Sequence, residues 1–211
     1  MNARPRRLAL AAALAGAAVA VPAAQAAPLA GICPGQEFSR PFAALGDTAP
    51  YTLVRGGDFE SGAFGWWGLR ASVVADSAHT LGMAADAHAL SLPAGASVVS
   101  PAVCVTADYP FMRFVARSAA ASAASRLTVE VLYDNGGPIQ VVPVAELTGA
   151  QMGRWSATPR LRTGVLLGTV SGTVGGLTRL QVSGAGEMRL RITATGGAWQ
   201  VDDVYVDPKM R

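Results

Sequence analysis

From Tyr51 onward the chain reads as short apolar runs cut by Gly, Pro and Asp. The runs are YTLV at 51–54, ASVVA at 71–75, HALSL at 88–92, SVVSPAVCV at 97–105, MRFVARS at 112–118, RLTVEVLY at 126–133, PIQVVPV at 138–144, LTRLQV at 177–182, MRLRITA at 188–194 and AWQVDDVYV at 198–206. Many are rich in β-branched residues and stand at hairpin-like spacing. Together they predict about ten strands in an all-β antiparallel sandwich or barrel. Two runs alternate cleanly. Met188, Leu190 and Ile192 share one face against Arg189, Arg191 and Thr193, and Leu127, Val129, Val131 and Tyr133 oppose Thr128, Glu130 and Leu132. No segment of the mature chain predicts a long helix. Ala119 to Ser125 reads as a turn or linker, and the glycine-punctuated stretch from Thr163 to Gly176 is open between strand and loop.

The last run carries an anomaly. In a regular strand Trp199, Val201, Asp203 and Tyr205 share one face, and Gln200, Asp202, Val204 and Val206 the other. One aspartate therefore points among core-facing side chains, where an ionised carboxylate is costly unless it is paired or binds a metal. A second acidic pair, Asp58 and Glu60, brackets Phe59 in LVRGGDFESGAFGWWG at 53–68. First and last strands of a sandwich can lie side by side, which would bring these four carboxylates together. Calcium takes such oxygen ligands. The plainer reading is solvated carboxylates or pairs with Arg55, Arg70 or Arg189.

Composition changes the picture at the N-terminus. Arg4, Arg6 and Arg7 precede an apolar run from Leu8 to Val21, then Pro22 and Ala24-Gln25-Ala26. This predicts a secretory signal peptide over 1–26 and a secreted, extracellular protein. At about 14 residues the run is short of the ~20 that span a bilayer, so no membrane span is expected in the mature form. The whole chain has 17 basic and 14 acidic residues. The leader takes three of the arginines and no acid, so the remainder balances, and nucleic acid is not expected as a partner. Subtracting the 26 leader residues from 211 leaves 185, enough for one domain. Residues 27–50, rich in Pro, Gly and Ala, read as an arm ahead of a sandwich over 51–208. The only cysteines, Cys33 and Cys104, predict one disulfide tying the arm to the body, against two buried free thiols.

The two end motifs resemble a family. G-x-F-E-x-G followed by a tryptophan, together with a terminal W-x-[IV]-D-D-V strand, is similar to the ends of galactose-binding-like jelly rolls, carbohydrate-binding modules above all. The resemblance implies a two-sheet jelly roll whose first and last strands share a structural calcium. Glu60 and Asp202 then match side-chain ligands and Asp58 a position that contributes either its carbonyl or its carboxylate, with Gly56 where an asparagine often stands. The whole chain also resembles a group of secreted proteins of GC-rich bacteria, through PFAALGDTAPYTLV, ALSLPAGASVVSPAVCV and DDVYVDP, which implies no particular activity.

Sugar recognition needs exposed rings with polar groups nearby. Trp66 and Trp67 are adjacent, so on a strand one faces away from the core, and the resemblance makes Trp67 the outward one. Tyr109 and Trp155, in or near turns, are the other candidate rings. His79 and His88 with Asp76 and Asp86 match no zinc spacing and read as solvated turn residues. No nucleophile elbow, zinc-protease motif or phosphate loop occurs. The expectation is a secreted, non-catalytic module binding extracellular glycans. The alternatives are a structural or adhesive protein that contacts other surface proteins, and a glycoside hydrolase in which Glu130 faces a second carboxylate.

Overall fold

Where the sequence alternates, the backbone is extended and paired. The structure is a computed structural model and describes residues 36–76, 87–106, 111–133, 138–163 and 185–207. Thirteen strands occur among them: β1 (Thr52–Leu53), β2 (Trp67–Leu69), β3 (Ser72–Val74), β4 (Ala89–Leu92), β5 (Ser97–Val99), β6 (Val103–Thr106), β7 (Phe111–Ser118), β8 (Arg126–Tyr133), β9 (Gln140–Thr148), β10 (Ser156–Ala157), β11 (Leu161–Arg162), β12 (Ala185–Thr195) and β13 (Trp199–Asp207). The only described helix is a short 3-10 turn at Ala43–Leu45. The run at 177–182, Cys33, Tyr109, His79, Asp86 and the expected leader over 1–26 lie outside the described residues.

One sheet runs β10-β7-β13-β4-β3, with β1 also on β13 and β11 on β7. The other runs β2-β5-β12-β8-β9, with β6 also on β12. If β5 with β6 and β10 with β11 are each taken as one interrupted strand, the chain from β4 to β13 orders first-eighth-third-sixth and second-seventh-fourth-fifth. That is the order of a jelly roll. The all-β sandwich expected from the spacing is the architecture observed. Its core lies between the sheets. Leu127, Val129, Val131, Met188, Leu190 and Ile192 project from one sheet to meet Met112, Phe114, Leu90, Leu92 and Val201 from the other. Each such side chain stabilises by about 1.5–3 kcal/mol on leaving water.

The strict alternation expected of β13 does not hold. Its partners run Trp199 opposite Ser118 to Asp202 opposite Val115, and then jump to Tyr205 opposite Arg113. Asp203 and Val204 thus share the single residue Phe114, which makes a β-bulge. Asp203 has φ +53°, left-handed backbone that aspartate tolerates better than most residues. Its N–H is turned to the Asp202 carboxylate, which accepts it at 2.8 Å. The extra residue resets the phase, so Trp199, Val201, Val204 and Val206 are all buried in the core. Val204 bonds instead to the chain after β1: its N–H donates to the Gly57 carbonyl, and its carbonyl accepts from Val54, both at 2.9 Å. A Cβ on Gly57 would fall 2.8 Å from the Val54 oxygen, so only glycine permits this approach.

The arm packs on the outside of the seven-stranded sheet. Phe42 is fully buried, edge-on to Tyr51 at 5.3 Å and to Tyr205 at 5.7 Å, with the Arg113 guanidinium 4.7 Å from its ring centre. With Ala89, Val115 and Trp155 these residues form a second, smaller core. Asp47 fastens it, accepting from the Tyr51 hydroxyl at 2.7 Å, Arg113 Nη1 at 2.8 Å and the Ala49 N–H at 3.1 Å. Burial alone would raise the Asp47 pKa. The Tyr51 and Arg113 hydrogen bonds outweigh it and hold the carboxyl below its ordinary 3.8.

Two outcomes follow for stability. Asp203→Asn, which keeps the tolerance for left-handed backbone, unfolds in urea close to wild type, whereas Asp203→Val loses about 1–2 kcal/mol or more. Equal losses in the two variants would remove the backbone argument. Because the Asp47 carboxyl titrates lower when folded than when unfolded, its contribution is full above about pH 4 and is lost as pH falls through the folded value. The melting midpoint of Asp47→Asn should therefore fall less steeply below pH 4 than that of wild type, and parallel curves would contradict this.

Candidate functional site

The alternation that buries Met188, Leu190 and Ile192 turns Glu187, Arg189, Arg191 and Thr193 outward on β12. Strand register carries that outer face across the whole sheet. One row runs Trp67, Val99, Arg191, Glu130, Pro143 from β2 to β9. The row beside it runs Leu69, Ser97, Thr193, Thr128, Glu146, and on the other side Arg189, Leu132 and Val141 follow. A groove of about 530 Å³ lies over these rows, with Trp67, Leu69, Ile139 and Val141 among its walls. Those four are 61%, 72%, 61% and 44% exposed, and they are four of the six large hydrophobic side chains left exposed among the described residues. Such side chains are unremarkable singly, but gathered on one face they mark a contact surface.

Local structure fixes the ring at the groove edge. Trp66 is buried, with its Nε1 donating to the Arg55 carbonyl at 3.0 Å and its ring 5.3 Å from Phe59. The next residue on β2 must then face out, and Trp67 does, as the sequence predicted. A Cβ on Gly68 would sit 2.1 Å from the Ser97 carbonyl oxygen, so glycine lets β2 press against β5 and brings Trp67 to the groove. In the floor, Arg191 Nε donates to Glu130 Oε2 at 2.6 Å. That hydrogen bond raises the Arg191 pKa, against a smaller opposite effect of burial. Glu130 is thus held by a guanidinium rather than facing a second carboxylate.

The other expected rings and acids are placed differently. Trp155 is only 9% exposed and belongs to the small core under the arm, so it is no sugar platform. The Arg117 guanidinium lies over its ring, and its Nε1 reaches Asp76 at 3.4 Å. Phe59 takes φ +56° in a turn, so Asp58 and Glu60 do not flank it as strand neighbours would. Glu60 Oε1 accepts from the N–H groups of Ala87 and His88 at 2.8 Å, and Oε2 lies 3.1 Å from His88 Nδ1. Slight burial raises the Glu60 pKa, but these donors bring it below its ordinary value. Asp202 and Asp203 are buried in the bulge. As placed, Asp58, Glu60, Asp202 and Asp203 are not gathered into one cluster. Among the described residues no three His, Cys, Asp or Glu side chains gather to hold a metal, and Glu60 faces donors. Cys104, on β6, accepts from Gln36 Nε2 at 2.8 Å through its carbonyl, three residues along the chain from Cys33.

No family model matches the chain. No curated protein matches it. Among solved structures it is similar to TmCBM61 in complex with beta-1,4-galactotriose, at 18% identity, covering 74% of this chain and 98% of that one, with a TM-score of 0.42. It is similar also to the CBM22-1 xylan-binding domain from Paenibacillus barcinonensis Xyn10C, at 14% identity, 74% and 93% coverage and a TM-score of 0.46. A third is a family 16 carbohydrate-binding module, at 13% identity, 74% and 99% coverage and a TM-score of 0.45. The ligands of those domains do not transfer to this chain with such a likeness.

With Glu60 held by the Ala87 and His88 N–H groups and His88 Nδ1, and Asp202 by the Asp203 N–H, excess EGTA should leave the melting midpoint unchanged. A fall that added calcium reverses would place an ion among Asp58, Glu60, Asp202 and Asp203 after all.

Proposed function

We propose that this protein is a non-catalytic, secreted binding module that holds a glycan on the outer face of its six-stranded sheet. The observation that supports this reading is the groove whose edge is the exposed indole of Trp67 and whose lining includes Glu187, Arg189 and Arg191, the last held by Glu130. A pyranose ring has an apolar C–H face and a polar rim. Trp67 offers the surface on which the first can stack, and the Arg191 guanidinium and Glu187 carboxylate offer donors and acceptors to the second. The groove volume of about 530 Å³ falls in the range of small-ligand sites, roughly 300–1,000 Å³.

The apolar stretch of Leu69, Ile139 and Val141 favours a second reading, in which this face meets another extracellular protein. A concave groove with charged groups in it suits a sugar better than a flat apolar contact does. Of the four tryptophans only Trp67 is exposed, so a ligand on this face changes the fluorescence of one identifiable ring.

A glycan array followed by calorimetry tests the proposal. Wild type binds a neutral oligosaccharide and shifts its tryptophan emission. Trp67→Ala melts within about 0.5 kcal/mol of wild type, as a surface substitution does, and loses about tenfold or more in affinity, the equivalent of 1.4 kcal/mol. Equal affinity in Trp67→Ala, or no glycan bound by wild type, overturns it.

A further inference from the structure

The opposite face carries a cavity of different chemistry. It has a volume of about 730 Å³ and lies beside the arm on the seven-stranded sheet, lined by Arg113, Arg117, Arg154 and Ser156 among others. Arg113 and Arg117 stand four residues apart on β7, both on its outward side. Their positions are therefore about 13 Å apart along the strand.

Each of the two is fixed before any ligand arrives. Arg113 donates from Nε to the Thr158 carbonyl at 2.9 Å and from Nη1 to Asp47 at 2.8 Å, over the Phe42 ring. Arg117 donates to Gln200 from Nε and to Asp76 from Nη2, over the Trp155 ring. A guanidinium carries five N–H donors, so each keeps donors beyond those that hold it in place. Arg154 on the rim is exposed and makes no ion pair among the described residues. Three guanidiniums against the two carboxylates of Asp47 and Asp76 leave the cavity cationic, although the mature chain as a whole is balanced.

We propose that this cavity is a second binding site, for a glycan bearing carboxylate or sulfate groups. Planar oxyanions match the guanidinium fork, and an arginine already stacked on a ring and tied to a carboxylate loses little freedom on binding one. The spacing of Arg113 and Arg117 selects an extended chain with repeated charges over a single small anion. A polar surface continues past Arg117, where a neighbouring cavity is lined by Ser91, Ser118 and Gln200. Duplex or single-stranded nucleic acid is disfavoured, because its affinity comes from many neutralised phosphates and this cavity offers a single net positive charge. The site is independent of the Trp67 face.

Calorimetry with dextran sulfate, polygalacturonate and uncharged dextran tests the proposal and separates sulfate from carboxylate. Wild type binds at least one charged polymer and not dextran, and more weakly at about 500 than at about 50 mM NaCl. Arg154→Glu keeps the wild-type melt and loses about tenfold or more in affinity, as expected for a lost charge-assisted contact. Trp67→Ala binds the charged polymer as wild type does, which separates this site from the groove on the other sheet. No binding of either polyanion, undiminished binding by Arg154→Glu, or equally tight binding of a single-stranded DNA would overturn it.

Discussion

The ladder between β7 and β13, with its one extra residue at Asp203, is the constraint on which the rest of the structure depends. β13 is bonded to β7 on one edge and to β4 and β1 on the other, so it is central in its sheet. A slip of one residue in such a strand would turn its buried side chains to water. The bulge prevents this by giving the strand a single fitting position. Phe114 faces two residues there, the Asp202 carboxylate caps the displaced N–H, and Val204 is handed to Gly57 and Val54. The paired aspartates are therefore a backbone device first. One takes the left-handed conformation, and the other accepts the hydrogen bond that this conformation diverts.

The same ladder makes the two outer faces unlike. With Phe114 and Ala116 turned to the core, Arg113, Val115 and Arg117 must project outward. Val115 needs cover, which Phe42 of the arm and Tyr51 just after it supply. The guanidiniums on either side of it are tied to Asp47 and Asp76. On the other sheet, β12 turns out charged and polar groups while β2 and β9 at its two margins turn out apolar ones, and no described segment covers them. A groove with apolar walls and a charged floor is the result.

Strands with strict alternation were legible in the sequence, because alternation and burial have the same cause. RLTVEVLY is β8 to the residue, and MRLRIT gives the inner and outer sides of β12 correctly. The two- and three-residue strands β2, β10 and β11 were not, since they hold their place by pairing with neighbours distant in sequence, β2 with β5 and the other two with β7, and carry no pattern of their own. β13 was visible as a strand but not in its phase, which a single φ angle at Asp203 reverses. Adjacency made one of Trp66 and Trp67 the outward ring, and the resemblance of the end motifs picked out Trp67. Trp155 could not be placed, because what buries it is distant in sequence: Phe42 from the arm, Tyr51 just after it, and Arg117 from β7. Ile139 and Val141 showed no sign of joining Trp67, as only the register of five strands puts the two margins on one face.

The outer row that begins at Trp67 ends at Pro143 on β9, the margin of its sheet. A sheet margin beside exposed apolar side chains is ordinarily a template on which further copies of a chain can grow. Proline offers no N–H to an incoming strand, and the register shift where Val129 and Glu130 meet β9 bends the ladder just there. Growth by strand addition stops at that residue. On this margin the molecule can keep Ile139 and Val141 in water, ready for another partner, without offering a strand edge to a second copy.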